Sequence, residues 1–178
     1  MKEAHCICAA LERVENRTEI VFVRHHWEAY KSTNTARIAL LVLDRARLIE
    51  YGFDPRPANA ALAELENACL LYPGSAEVSP SAPPRYDSVV ILDGTWAQTR
   101  RMLRRLPALA KLPRLSLSPR AAPTEKLRHG HLAEGLSTIE AAAGALELLE
   151  GPEVGASLER ASRLYVASVF AVRGKPSR

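Results

Sequence analysis

The sequence predicts an α/β fold in which a mostly parallel sheet carries helices on both faces. Three observations carry that prediction. Apolar, β-rich runs recur at residues 19–24, 68–72 and 88–92. Helical patterns stand between and after them, at about 35–44, at 57–67 and from Thr95 onward. Two capping boxes, Thr95 with Gln98 and Ser137 with Glu140, mark helix starts. Strands separated by helices cannot pair as hairpins, so each connection crosses over the sheet and leaves neighbouring strands parallel.

The length of 178 residues fits one domain with a real core, taken here as 1–178. A hydrophobic fraction of 47% and a charged fraction of 25% are those of a soluble globular chain. No apolar run approaches the ~18 residues of a membrane span, and Met1-Lys2-Glu3-Ala4-His5 lacks the apolar core of a signal peptide. Three cysteines, an odd number, argue against a disulfide framework and point to a reducing, cytoplasmic setting. A net charge of +4 permits a polyanionic partner without requiring one.

His5-Cys6-Ile7-Cys8 opens the chain with a C-x-C pair, but a structural zinc needs four ligands and no second cysteine pair follows, so no metal site is assigned. Glu19–Arg24 is the first strand. It leads into Arg24-His25-His26-Trp27-Glu28-Ala29-Tyr30-Lys31-Ser32-Thr33-Asn34-Thr35, a loop dense in cationic, aromatic and capping residues. The adjacent histidines read as surface or backbone-bonded groups before they read as a catalytic pair. An apolar helix follows from about Thr35 to Asp44. Arg47–Gly52 is a second short strand, Pro57–Asn67 a helix and Ala68–Tyr72 a third strand, stopped by Pro73-Gly74. Residues 75–86 form a proline-rich loop. Ser88–Leu92 is a buried strand, closed by Asp93-Gly94 before the Thr95 cap.

The helix after Thr95 is two-faced, with Trp96, Thr99, Leu103 and Leu106 on one side and Arg100, Arg101, Arg104 and Arg105 on another. No acid stands between Asp93 and Glu125, while Lys111, Arg114 and Arg120 add further cations, so this stripe is a candidate phosphate-contacting surface. Leu112–Leu117 is read as a fifth strand. Residues 118–136 are irregular and carry Leu127-Arg128-His129-Gly130-His131, whose two histidines alone make a weak metal signal. Ser137 opens a helix to Glu150, Gly151-Pro152 breaks it, and a last amphipathic helix runs over 153–172. Its buried side is expected to hold Leu158, Ala161, Leu164, Tyr165, Ser168 and Val169.

Ligands of such sheets lie beyond the carboxyl ends of the strands. The chain order brings the Ser32-Thr33-Asn34 loop, Tyr72-Pro73-Gly74, Asp93-Gly94-Thr95-Trp96 and the Leu117-Ser118 loop to that edge, with the Ser137 helix start a candidate to join them. Backbone N–H groups at the two capped helix starts suit an anionic group there.

At Asp93-Gly94-Thr95-Trp96 the sequence resembles the DTW-domain family, the tRNA-uridine aminocarboxypropyltransferases. Lys31-Ser32-Thr33-Asn34-Thr35 resembles the family's Asn-Thr motif. The stretch from Asp93 to Met102, with Pro107, Leu109 and Leu112-Pro113, follows its Asp-Gly-Thr-Trp signature. Leu127-Arg128 and Ser137-Thr138-Ile139-Glu140-Ala141 resemble its two later motifs. A related enzyme of ribosomal RNA shares the pattern of Leu136 to Ala141. The resemblance runs from about Cys6 to Glu150. It implies a SPOUT-like fold with a knotted carboxyl-terminal region that holds S-adenosylmethionine. The implied reaction moves the 3-amino-3-carboxypropyl group of that cofactor to N3 of a tRNA uridine. It further implies that residues 1–12 are a truncated remnant of an amino-terminal cysteine motif, and a homodimer is an option for such a fold.

On this basis Asp93 is the candidate base, or the group that orients a base; the same position would also let it cap the turn or hold an ammonium. Thr33, Asn34, Thr35, Leu71, Tyr72, Pro73, Gly94, Thr95, Trp96, Leu117, Ser137, Thr138 and Glu140 are expected around the cofactor. Arg100, Arg101, Arg104, Arg105 and Arg128 are expected on the RNA. Two rivals use the same features: a SPOUT-type RNA methyltransferase, distinguished by its by-product, and an RNA-binding protein without catalysis.

Overall fold

The computed structural model describes residues 6–73, 85–118 and 136–174. Its centre is a five-stranded sheet of β1 (Glu19–His25), β2 (Ala46–Tyr51), β3 (Ala68–Leu71), β4 (Ser88–Asp93) and β5 (Arg114–Leu115), in the order β2-β1-β4-β3-β5. Every pairing is parallel. The helices are α1 (Ala36–Val42), α2 (Arg56–Ala63), α3 (Trp96–Arg105), α4 (Pro107–Lys111), α5 (Thr138–Glu150) and α6 (Pro152–Val172).

Strand side chains alternate between two cores, as a pleat requires. Ile20, Phe22, Val89, Ile91 and Cys69 pack toward α1, α5 and α6. Val21, Val23, Val90, Leu70 and Tyr51 pack toward α2, α3 and α4. With both faces covered, β1 and β4 read as continuous apolar runs instead of alternating ones.

The first four strands and the main helices lie where the sequence places them, with ends moved by a few residues. Four expectations are corrected. The fifth strand is only Arg114–Leu115, not 112–117. It is an edge strand entered at Pro113, which has no N–H to give the ladder, and its pairing rests on Leu70 N–H to Pro113 O and Tyr72 N–H to Leu115 O, both 2.9 Å. Helix α4 was not expected; Pro107 at its first turn starts it, and five residues are too few to show a period. On α3 the buried row is Thr99 and Met102, continued by Leu106, while Trp96 is exposed and Leu103 half-buried. On α6, Leu164 is exposed, and Gly155 and Ser162 are buried instead.

Gly155 lets α6 approach α5. A Cβ there would stand 2.7 Å from Glu147 Cβ and 2.9 Å from the Ala143 carbonyl oxygen, so one helix must move. Gly155→Ala is expected to cost roughly 1–3 kcal/mol, read as a melting temperature several degrees lower. An unchanged melting temperature would show that the helix pair yields without strain. Among the described residues no helix is long and apolar enough to cross a membrane.

Candidate active site at the β1–β4 switch point

The topology fixes where a ligand can enter. From β1 the chain turns through α1 to β2 on one side; from β4 it turns through α3 and α4 toward β5 on the other. Helices α1 and α3 lie on opposite faces. The carboxyl ends of β1 and β4 therefore flank the crevice where the winding reverses, the place where open α/β sheets bind ligands.

Asp93, the last residue of β4, sits in that crevice. It is 4% exposed. Thr138 Oγ1, from the first residue of α5, donates to its Oδ1 at 2.6 Å. Asn34 Nδ2 donates to its Oδ2. The Asn34 amide works in two directions, since its Oδ1 accepts the Arg37 N–H at 3.3 Å and so caps the start of α1. Thr35 Oγ1 accepts the Ile139 N–H at 3.3 Å. The starts of α1 and α5 are thus fastened to each other and to the end of β4. Tyr165 of α6 ties down the same loop by donating its hydroxyl to the Ser32 carbonyl.

Burial pushes the Asp93 carboxyl above the usual carboxylate range; the Thr138 and Asn34 hydrogen bonds oppose that shift. The Glu28 carboxylate adds to the rise and the Arg24 guanidinium offsets it. Arg24 stands opposite both Asp93 and Glu50 in register and pairs with Glu50. Glu28 is buried and pairs with Lys31.

The two capped helices differ in what they leave free. At α5, Ser137 N–H donates to Glu140 Oε2 at 2.6 Å, Glu140 N–H to Ser137 Oγ at 3.4 Å, and Ile139 N–H to Thr35. At α3, Thr95 N–H donates to Gln98 Oε1 at 2.6 Å and Gln98 N–H to Thr95 Oγ1 at 3.3 Å. Among the described residues the N–H groups of Trp96 and Ala97 have no acceptor. Gly94 leaves room for this cap, because a Cβ there would lie 3.1 Å from both Cβ and Oε1 of the folded-back Gln98 and the glutamine would have to give by a few tenths of an ångström.

The aromatic rim is continuous with this end of α3. Trp96 meets Tyr72 edge to face, with ring centroids 6.3 Å apart, and the Arg114 guanidinium lies 5.4 Å from the Tyr72 ring centroid. Leu71 and Leu117 are half-buried and Pro73 is exposed at the ends of β3 and β5. Thr33 is half-buried in the loop before α1.

Arg100, Arg101, Arg104 and Arg105 are all exposed, and among the described residues none pairs with a carboxylate. His25 is buried. Its Nδ1 accepts the Trp27 N–H at 3.3 Å, capping a short turn at His26–Glu28. Burial pushes the His25 imidazole below its ordinary range; the neighbouring His26 and the Arg101 guanidinium push the same way and Glu28 opposes. The Cys69 thiol is buried and pushed up to about 12, too high for a nucleophile.

The structure brings together the Asn34, Asp93 and Ser137 segments and places Tyr72 and Trp96 beside them. Arg120, Arg128, His129, His131, Gly74 and His5 lie outside the described residues. Sequence reasoning missed Glu28, Arg24 and Tyr165. Only Glu28 left a signal, three residues before Lys31; the other two matter through strand register and packing.

Residues 1–169 match the family described as DTW domain. The chain is 30% identical to tRNA-uridine aminocarboxypropyltransferase 2 of Drosophila melanogaster, over 87% of this chain and 66% of that protein. It thus spans just under two thirds of the length of that relative. No solved structure matches. The matched span takes in the Asn34, Asp93 and Ser137 segments that the fold gathers at one crevice, and the chain belongs to the DTW-domain family.

Proposed function

We propose that this protein transfers the 3-amino-3-carboxypropyl group of S-adenosylmethionine to N3 of a tRNA uridine, with release of 5′-methylthioadenosine. The observation that carries the reading is the Asn34–Asp93–Thr138 clasp at the switch point, where three separate motifs of the family meet. The name of the fruit-fly relative supports the reaction.

The residues present fit the cofactor. The free Trp96 and Ala97 N–H groups suit its α-carboxylate. Tyr72, Trp96, Leu71, Pro73 and Leu117 offer a largely apolar wall for its adenosine. Thr33, Asn34, Thr35, Gly94, Thr95, Ser137, Thr138 and Glu140 shape the crevice around Asp93. When bound, S-adenosylmethionine supplies a carbon already activated by a sulfonium leaving group. The protein's own task is the nucleophile. Uridine N3 must lose its proton, and Asp93, made more basic by burial, is the acceptor we assign. Asp93 would hold the N3 proton, and the bound cofactor would supply the carbon for the new N3 bond, its sulfur leaving with the electron pair as methylthioadenosine. Arg100, Arg101, Arg104 and Arg105, with Arg128, hold the RNA backbone.

A SPOUT-like knotted carboxyl-terminal region is part of this reading. The all-parallel sheet, and an α5 that starts at the end of β4, are compatible with it. A cytoplasmic setting fits three cysteines that are all free.

Incubation of the protein with S-adenosylmethionine and tRNA is expected to yield a uridine that carries the aminocarboxypropyl mass, together with methylthioadenosine, both read by mass spectrometry. S-adenosylhomocysteine with a methylated nucleoside would make it a methyltransferase. RNA binding with neither product would leave a binding protein.

A further inference from the structure

We infer that Trp27, His26 and Phe53 form a stacking platform for an unpaired base of the RNA, beside the transfer site; this rests on the reading of the protein as an RNA-modifying enzyme. Trp27 and Phe53 are 57% and 82% exposed, unusual for such large rings, and Tyr30, three residues after Trp27, is 84% exposed. The rings form one cluster. The His26 centroid lies 5.1 Å from Trp27 and 4.4 Å from Phe53, and the His25 ring stacks beneath it at 4.5 Å. Both ring nitrogens of His26 are shielded and, among the described residues, have no partner. His26, stacked on His25 and tilted by 41° to Trp27 and 42° to Phe53, spaces and supports the two exposed rings.

The position ties the cluster to the transfer site. Trp27 follows directly from β1, whose Arg24 stands opposite Asp93 in register, and Phe53 follows β2, the next strand. All three strands end on the same sheet edge.

Charge selects the partner. Each carboxylate bordering the cluster is already paired: Glu28 with Lys31, Glu50 with Arg24, Asp54 with Arg56. Of the exposed α3 arginines, Arg101 and Arg105 are left in surplus on the flank. Arg101 is near enough to act on His25, and Arg105 on Asp54, the neighbour of Phe53. Exposed rings bordered by uncompensated cations match a single-stranded polyanion with flat bases. A base-paired helix hides its base faces and cannot use such rings, so the ligand is an unpaired nucleotide of a loop.

Affinities for a short unstructured RNA oligonucleotide and for a blunt RNA duplex of the same length test this. Combined Trp27→Ala and Phe53→Ala substitution is expected to weaken single-strand binding by about 10- to 100-fold with its salt dependence unchanged. Duplex binding should move by less than about twofold, because phosphate contacts on α3 remain. Trp27→Phe should restore most of the loss. The chain has 2 tryptophans, so in a Trp96→Phe protein Trp27 is the sole indole reporter. Its fluorescence should be quenched by the single strand and not by the duplex.

Equal losses on both RNAs, or full single-strand affinity in the double variant, would overturn the inference. So would a wild-type dimer that the double variant splits while RNA binding stays intact, since the rings would then belong to a second copy. Wild-type protein that binds and modifies no RNA would remove the proposed function itself, whereas tRNA modification combined with undiminished affinity in the variant would remove this inference alone.

Discussion

Asp93→Asn protein is expected to lose about 10²- to 10⁴-fold in transfer rate while melting at or above the wild-type temperature at neutral pH. The two halves of this expectation have separate causes. The amide is nearly isosteric and can keep both contacts. Its oxygen can accept from Asn34, and its NH₂ can donate to Thr138 once that hydroxyl turns. What it removes is a charge held against burial. The folded Asp93 carboxyl has a raised pKa, so between the unfolded and folded values the native state binds more protons than the unfolded chain. Stability therefore falls as pH rises through that window, and the loss persists at neutral pH. Removing the charge lifts that penalty. The gain in melting temperature should shrink as the solution is acidified toward the ordinary carboxylate range. Asp93→Ala, by contrast, leaves two buried donors without an acceptor, which costs roughly 1–3 kcal/mol each, and should lose both activity and stability. Full activity in a folded Asp93→Asn protein would make the residue a structural clasp and nothing more.

Neutralising Arg100, Arg101, Arg104 and Arg105 together to glutamine is expected to weaken tRNA binding by about 10³-fold at ~0.1 M salt and to flatten the plot of log affinity against log salt by about 3. Four phosphate contacts account for both numbers. The arginines are exposed, so the fold should survive, with a small loss because Arg104 and Arg105 complement the end of the α3 dipole. The measurement is affinity across a salt series for wild type and variant. Parallel lines of equal slope would show that the arginine face is merely solvated.

The α/β class, four of the five strands and both capping boxes are legible in the sequence, because each is written in contiguous residues: apolar runs, helical periods, and a hydroxyl three positions before Gln98 or Glu140. Fifth-strand length is not, since Arg114–Leu115 is a strand only through what β3 offers it. Convergence of Asn34, Asp93 and Ser137 on one sheet edge follows from strand alternation. Their hydrogen-bonded union does not, because 59 and 45 residues separate Asp93 from Asn34 and Thr138. The arginine stripe is plain in sequence. The gathering of Trp27 and Phe53 around His26 is not, for Phe53 reaches that ring only once β1 and β2 pair.

The clasp also bears on how the protein is made. Among the described residues every strand pair is parallel, so none of these pairs can form as a hairpin and each awaits a crossover. The crevice closes only when the start of α5 reaches Asp93, which requires both the Asn34 and the Thr138 segments to have docked on the end of β4. A chain emerging during synthesis, or one opened by partial unfolding, holds its sheet segments without holding a pocket. Capacity to engage a donor molecule therefore reports on completed tertiary structure, and incompletely folded copies would be idle instead of promiscuous.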